Sequence, residues 1–495
     1  MYAAINSSTL HGVFGAPITV EVHIGHGLPG FAVVGQPDEA CRESRDRVRA
    51  ALLCSGVEWP NRRITVNLAG PAEKRGGSTA DLAIAVGVLV ANGDVPAEAV
   101  DGTAFFGELG LDGSLRPSAG AAPLAFSAAG SRVVVPAASI HEAMLGAGRR
   151  AVPAASLREV IAVLKGEEQW SSAGQHPGPE DARAVLDLAD VRGQHQAKFA
   201  LEVAAAGQHH ALMIGPPGVG KSMLAKRLPG ILPALNEEAA FEVSMVRSAA
   251  GLPTPAAPGR VPPFRAPHHT SSTVSVVGGG SPVRPGEVSL AHHGVLFLDE
   301  MGEFAPTLLD ALRQPLEEGT IRIARARSSV ELPARFLLVG ASNPCPCANE
   351  QVTGCGCTPQ MRRRYLRRFS GPLLDRFDVR MWLTRPRTEA VLSAVPEEPS
   401  ATVAARVATA RDTAMRRQGC PNSLIVPSVI DEVAPLDAPA RAVLEAGLRR
   451  GDLTARGYHR VRRVARTVAD LRGDDSVGEE HVRAALGLRR ELGDR

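Results

Sequence analysis

Residues 211–222 read Ala-Leu-Met-Ile-Gly-Pro-Pro-Gly-Val-Gly-Lys-Ser, an apolar run that passes directly into a glycine-rich turn and then an amphipathic segment reaching Leu228. Phosphate chemistry needs this order. Glycines let backbone N–H groups close on the oxygens, a helix N-terminus adds the positive end of its dipole, and a lysine reaches the terminal phosphates. Gly215, Gly220, Lys221 and Ser222 satisfy the spacing G-x-x-x-x-G-K-S, with Pro216, Pro217, Gly218 and Val219 between them. Lys221 is the expected phosphate-reaching cation and Ser222 an expected Mg²⁺ ligand. The expectation is a nucleoside triphosphate site using ATP and Mg²⁺.

A second apolar run, Gly294-Val295-Leu296-Phe297-Leu298-Asp299-Glu300, ends in two adjacent carboxylates, as a buried parallel strand does at its C-terminal edge. Asp299 is placed for the Mg²⁺ shell and Glu300 to polarise an attacking water, which turns a binder into a hydrolase. A third run, Arg335-Phe336-Leu337-Leu338-Val339-Gly340-Ala341-Ser342-Asn343, ends in an amide that could orient that water or touch the γ-phosphate. In order and spacing, these three strand ends resemble the P-loop, Walker B and sensor 1 of AAA+ ATPases.

Two arginines extend the resemblance. Gly371-Pro372-Leu373-Leu374-Asp375-Arg376-Phe377-Asp378 looks like an arginine-finger segment, in which Arg376 would reach the nucleotide of a neighbouring subunit. Thr454-Ala455-Arg456-Gly457 opens a basic helix and looks like sensor 2, with Arg456 near the phosphates. Arginine outnumbers lysine fifty to five, so motif context, not residue type, carries both assignments.

The chain of 495 residues has room for about three domains. A 44% hydrophobic content supports real cores, and a net charge of +3 leaves no global basic field, so any nucleic-acid contact must come from a local patch. The N-terminus lacks a basic segment followed by an apolar one, and no apolar run approaches a membrane span. A soluble, cytoplasmic protein without a membrane partner is expected. Seven cysteines in such a length are not a secreted disulfide framework. Four of them, Cys345, Cys347, Cys355 and Cys357, fall within thirteen residues just after Asn343. They could close a structural zinc site or be reduced thiols in a turn-rich loop, and the C-x-C spacing is tighter than the usual zinc knuckle.

Composition divides the chain into an α/β domain at 1–165, a polar Gly/Pro linker at 166–186, an ATPase core of parallel-sheet type at 187–395 and a helical lid at 396–495. Residues 188–194 open the core where AAA+ proteins seat the adenine. In the first domain, Lys74-Arg75-Gly76-Gly77-Ser78-Thr79-Ala80-Asp81-Leu82 resembles the nucleophile segment of Lon-type proteases, and residues 107–117 resemble the stretch before their catalytic lysine. The matching position falls on Ala122, and no lysine lies between Lys74 and Lys165. A serine needs a base to become a nucleophile. The resemblance therefore implies a Lon-protease-like (S5 domain 2-like) fold that is inactive as a protease.

Before Walker B runs a long insert, with Phe264-Arg265-Ala266-Pro267-His268-His269-Thr270-Ser271-Ser272, a Gly278–Gly280 triplet, and Pro285-Gly286-Glu287-Val288-Ser289-Leu290-Ala291-His292-His293. With the Lon-like domain, this insert resembles the magnesium-chelatase-like YifB/ComM family. The resemblance implies a ring of hexameric type, in a family whose ComM-type members are DNA helicases in branch migration during recombination and natural transformation. Residues 321–332 read as a β-hairpin with a basic tip at Arg325 and Arg327, a candidate phosphate contact in a ring pore. The two His-His pairs read as polar loop or packing residues, with metal ligation as the other reading. A motor acting on a protein partner, as in the magnesium-chelatase motor subunit, is the alternative to DNA remodelling, and a Lon-like ATP-dependent protease a distant third.

Overall fold

Strands buried on both faces must be apolar throughout, whereas strands with one wet face alternate, and of the two large sheets among the described residues one is apolar throughout while the other contains several alternating strands. The computed structural model describes residues 1–495 apart from 36–40, 42, 71–77, 173–185, 256, 281–282, 326–327, 348–355, 367, 393–394 and 490–495. Lys74, Arg327 and Cys355 lie outside the described residues.

The N-terminal sheet has seven strands: β1 (Tyr2–His11), β2 (Phe14–Gly25), β3 (Gly30–Val34), β4 (Arg63–Ala69), β5 (Thr103–Phe105), β6 (Arg132–Pro136) and β7 (Ala151–Ala154). They run in the order β3-β4-β2-β1-β5-β6-β7. β1, β2 and β4 pair antiparallel and the remaining pairs are parallel, so the sheet is mixed. Helix α1 (Asp81–Asn92) packs on one face with Ile5, Val22, Phe105 and Val134. Helix α2 (Ala121–Ser127) packs on the other, with Ala104, Phe106, Val133 and Val135.

Ser78 precedes α1, which covers one face of the sheet, and Ala122 lies in α2, which covers the other. Ala122 is engaged in docking, its N–H donating to Ser248 Oγ at 3.1 Å. Trp170 packs on the N-terminal core and under the Arg132 guanidinium, 5.9 Å from the ring centroid, so the stretch beginning at 166 starts as part of the first unit.

The second sheet is the one that reads as continuous apolar runs. Its strands are β8 (Ala211–Ile214), β9 (Phe264–Arg265), β10 (Val295–Leu298), β13 (Leu337–Ser342) and β14 (Val379–Trp382); the separate hairpin of β11 (Thr320–Arg325) and β12 (Ser328–Pro333) lies between β10 and β13 in the chain. The order is β9-β10-β13-β8-β14, all parallel. Every residue of β8, β10 and β13 is buried.

One face of this sheet shares its core with α3 (His195–Gly207) and the C-terminal helices, notably α6 (Ala455–Arg472). The other face packs on the segments after β10 and on the hairpin, through Ile321, Val330 and Leu332. Val13, in the β1–β2 turn, joins that same core. Helix α4 (Glu237–Ala249), capped by Asn236, meets α2 where Phe126 and Phe241 stack edge to face at 5.4 Å and Gly120 N–H donates to Ser248 O. Among the described residues no helix is long and apolar enough to cross a membrane.

Candidate nucleotide site

Parallel pairing aligns the ends of three strands. Ile214 lies opposite Ser342, and Leu298 opposite Gly340, so the residues that follow β8, β10 and β13 emerge at one edge. These are the phosphate loop, the Asp299-Glu300 pair and Asn343.

The loop from Gly215 to Gly220 is shaped by backbone that only glycine tolerates well. Gly218 and Gly220 have φ of +79° and +97°. Helix α5 (Lys221–Arg227) begins at the end of this turn. Lys221 is buried, and its ammonium donates to Gly215 O at 2.6 Å, Pro216 O at 2.9 Å and Asn343 Oδ1 at 3.1 Å. Burial lowers its pKa, and the charges of Asp299 and Glu300 oppose that shift. Ser222 Oγ donates to Asp299 Oδ2 at 2.6 Å, while Asp299 Oδ1 accepts from Glu300 N–H at 3.0 Å. Glu300 has φ +49°, a left-handed conformation uncommon outside glycine, which turns it away from the strand.

The hydroxyl of Ser222 and the carboxylate of Asp299 are paired hard oxygen donors, the donor set that suits Mg²⁺. At this edge Lys221 bonds Asn343 and Ser222 bonds Asp299, with the Glu300 backbone on the other oxygen of Asp299. Sequence reading missed two residues. Gln194, at φ +58°, donates through Nε2 to Val219 O at 3.1 Å and Thr384 O at 2.7 Å, tying the segment before α3 to the phosphate loop. His269, from the insert, places Nδ1 3.5 Å from Glu300 Oε2. The sequence shows both only as polar residues in flagged segments.

Arg376 and Arg456 lie elsewhere. Asp378 and Val379 donate to His210 O, so Arg376 precedes β14 at the edge where the strands begin. That edge is one β8 length, roughly 13 Å, from the phosphate loop. Arg376 pairs with Glu317, and its pKa is lowered by burial and then by Arg460, Arg456 and Arg313. Arg460, one turn after Arg456 in α6, pairs with Asp378 at 3.0 Å. Both candidate arginines thus stand together on the edge away from Lys221.

The His292-His293 pair belongs to packing. A backbone N–H can only donate, so the bond from Arg335 N to His292 Nδ1 leaves the proton on Nε2, which faces Glu242 at 2.9 Å. His293 Nε2 meets the same carboxylate oxygen at 2.7 Å. Burial, then the charge of His293, holds the His292 pKa at about 4. A protonated Nε2 offers no lone pair to a metal, and the pair instead ties the start of β10 to α4.

Three families match the chain. Residues 187–391 match the family of magnesium chelatase, subunit ChlI, residues 20–139 that of subunit ChlI of Mg-chelatase, and residues 397–489 its C-terminal family. The chain is 42% identical to the YifB protein of Escherichia coli (strain K12) over 485 residues, covering 97% of this chain and 95% of that protein. The chain belongs to the YifB/ComM family of magnesium-chelatase-like AAA+ proteins. Within that family, the Competence protein ComM of Haemophilus influenzae is 39% identical over 494 residues, covering 98% of this chain and 97% of its own length. The magnesium-chelatase 38 kDa subunit of Acidiphilium rubrum is 31% identical over 207 residues, 40% of this chain and 52% of that protein. Membership of this family implies use of ATP and Mg²⁺.

Proposed function

We propose that the chain is an ATP hydrolase whose subunits form a ring, of hexameric type, and couple hydrolysis to the remodelling of single-stranded or branched DNA. The observation that carries the hydrolase reading is the pair of bonds Lys221–Asn343 and Ser222–Asp299 at the aligned ends of three parallel strands. Mg²⁺, held by Ser222 and Asp299, would neutralise phosphate charge. The backbone of Gly215–Gly220 cradles the phosphates and Lys221 moves its ammonium from loop carbonyls to phosphate oxygens. Glu300 polarises the water and Asn343 orients it.

Arg376 and Arg456 complete the site of the neighbouring subunit, because their shared edge is too far from their own phosphate loop. The DNA reading rests on the resemblance to ComM-type proteins and on the basic hairpin β11–β12. A motor that remodels a protein partner is equally compatible with the ATPase geometry, since the chelatase subunit shares the core. A protease is disfavoured by the absence of any lysine between Lys74 and Lys165. Zinc has no part in this reaction. Any zinc on the cysteine loop is structural.

The deciding experiment is the ATPase rate with and without single-stranded and branched DNA. Stimulation by DNA supports the DNA reading; an unchanged rate, with hydrolysis intact, moves the assignment to a protein partner. Lys221→Ala should abolish nucleotide binding, whereas Glu300→Gln should retain binding and lose turnover. A Glu300→Gln chain that hydrolyses ATP at the parental rate would refute the water-polarising role.

A further inference from the structure

We propose that Cys345, Cys347 and Cys357 bind a zinc ion that fixes the excursion leading away from Asn343. Their three sulfur atoms lie within 4.8 Å of one another, with Cys345 and Cys357 buried and Cys347 exposed. The Cys345 and Cys347 sulfurs are 3.2 Å apart. Tetrahedral zinc with Zn–S bonds of about 2.3 Å sets sulfurs about 3.8 Å apart, so each ligand needs only a small adjustment. Cys355, two residues before Cys357, lies outside the described residues, and the site is argued from the other three.

The surrounding chain gives an independent reason. The excursion leaves β13 at Asn343 and returns as helix α7 (Pro359–Leu366), where the Tyr365 hydroxyl hydrogen-bonds Ser342 Oγ at 3.0 Å. Both ends are therefore anchored at the same point of the sheet. Residues 344–358 between them are Pro-Cys-Pro-Cys-Ala-Asn-Glu-Gln-Val-Thr-Gly-Cys-Gly-Cys-Thr, with Val352 the one large aliphatic side chain. A composition this poor in apolar side chains offers little to bury, so a metal cross-link between the cysteines is a means of holding the chain there.

The chemistry favours zinc over the other uses of cysteine. Thiolates are soft donors suited to zinc or an iron–sulfur cluster. A nucleophilic role needs a base, and no histidine lies between Pro344 and Leu366. The consequence is positional. The metal lies two residues beyond Asn343, the residue whose amide oxygen accepts from Lys221, and it fixes the chain that carries that amide. This proposal does not depend on the identity of the motor's substrate.

The test uses the full chain purified without chelator. The expected result is about one zinc per chain by elemental analysis, released stoichiometrically when a mercurial titrates the thiols. Cobalt substitution should give an intense thiolate-to-cobalt charge-transfer band. Cys347→Ser, at the exposed ligand, should weaken zinc retention at least tenfold in a competitive chelator titration while circular dichroism stays native, and Cys420→Ser should leave retention unchanged. Absence of metal with freely titrating or disulfide-bonded thiols overturns the site. So does iron with acid-labile sulfide, and so does a folded Cys347→Ser chain that keeps parental zinc affinity.

Discussion

His269 Nδ1 and Glu300 Oε2 stand 3.5 Å apart, so the carboxylate assigned to water is already within ion-pair reach of a residue from the insert. His269 is held by His268, whose ring centroid is 4.2 Å away, and by the edge contact with Phe304 at 6.4 Å. A carboxylate shared with an imidazole has less freedom to take a proton from water. His269→Ala should therefore raise basal ATPase a few-fold at most, because a half-exposed ion pair is worth under about 1 kcal/mol. The ratio of stimulated to basal rate should fall, with the KM for ATP unchanged. A steady-state comparison checks this, and an unaltered basal rate removes His269 from control of Glu300.

Arg376 and Arg456 share an edge, and that predicts a complementation pattern. A chain with Lys221→Ala is mixed with one carrying Arg456→Ala, and separately with one carrying Arg376→Ala. In a ring with heterologous interfaces, about a quarter of sites in a random equal mixture combine an intact phosphate loop with an intact arginine donor. Both mixtures should recover ATPase toward that fraction. Were Arg456 to serve its own chain's nucleotide, its mixture would stay inactive while the Arg376 mixture recovered.

Asp378 joins the start of β14 to the lid. It meets His209 Nδ1 at 3.0 Å and Arg460 at 3.0 Å, and is itself buried. Burial alone would raise its pKa, but the His209 hydrogen bond and the charges of His209, Arg460 and His210 outweigh it and hold the carboxyl at about 2. A depressed carboxyl pKa stabilises the fold above the unfolded value of 3.8, and that stability is lost as pH falls toward 2. Asp378→Asn leaves Arg460 without its partner and should cost about 3 kcal/mol at neutral pH. Denaturant unfolding of both chains checks it. The difference should hold at pH 5 and shrink between pH 4 and pH 2.

The strand ends were legible because each is a short apolar run whose last residues change character abruptly, as Leu298 to Asp299 does. The phosphate loop was legible because Gly218, Gly220 and Lys221 have fixed local tasks. What the sequence hid depends on packing between distant segments. Arg376 and Arg456 are eighty residues apart and meet only because α6 shares a core with β14. His269 reaches Glu300 only because β9 pairs with β10, bringing the insert alongside the Walker B strand. The docking of α2 on α4 rests on Ser248, a small residue that looks like helix surface. Trp170 lies in a segment whose polarity signals a linker, and one aromatic ring against the first core outweighs that signal.

The hairpin carries the prediction closest to the proposed function. Its strands pair from Thr320–Pro333 to Arg325–Ser328, and its buried Ile321, Val330 and Leu332 root it in the core that also receives Val13. Arg322 is already paired with Glu331 at 3.4 Å, so near the base one basic charge is offset. In the sequence the hairpin segment also carries Arg325 and Arg327, and the proposal assigns the polyanion contact to these two. Neutralising both should reduce DNA-stimulated ATPase and unwinding while sparing basal hydrolysis, because Lys221 and Glu300 lie elsewhere. Removing two phosphate contacts should also reduce the salt dependence of single-strand binding by about 1.4 units of log–log slope. Binding isotherms at several salt concentrations measure that slope directly. A double-alanine chain with unchanged slope and normal unwinding assigns the DNA contact to another surface, and the insert at Phe264–His293 is then the segment to substitute.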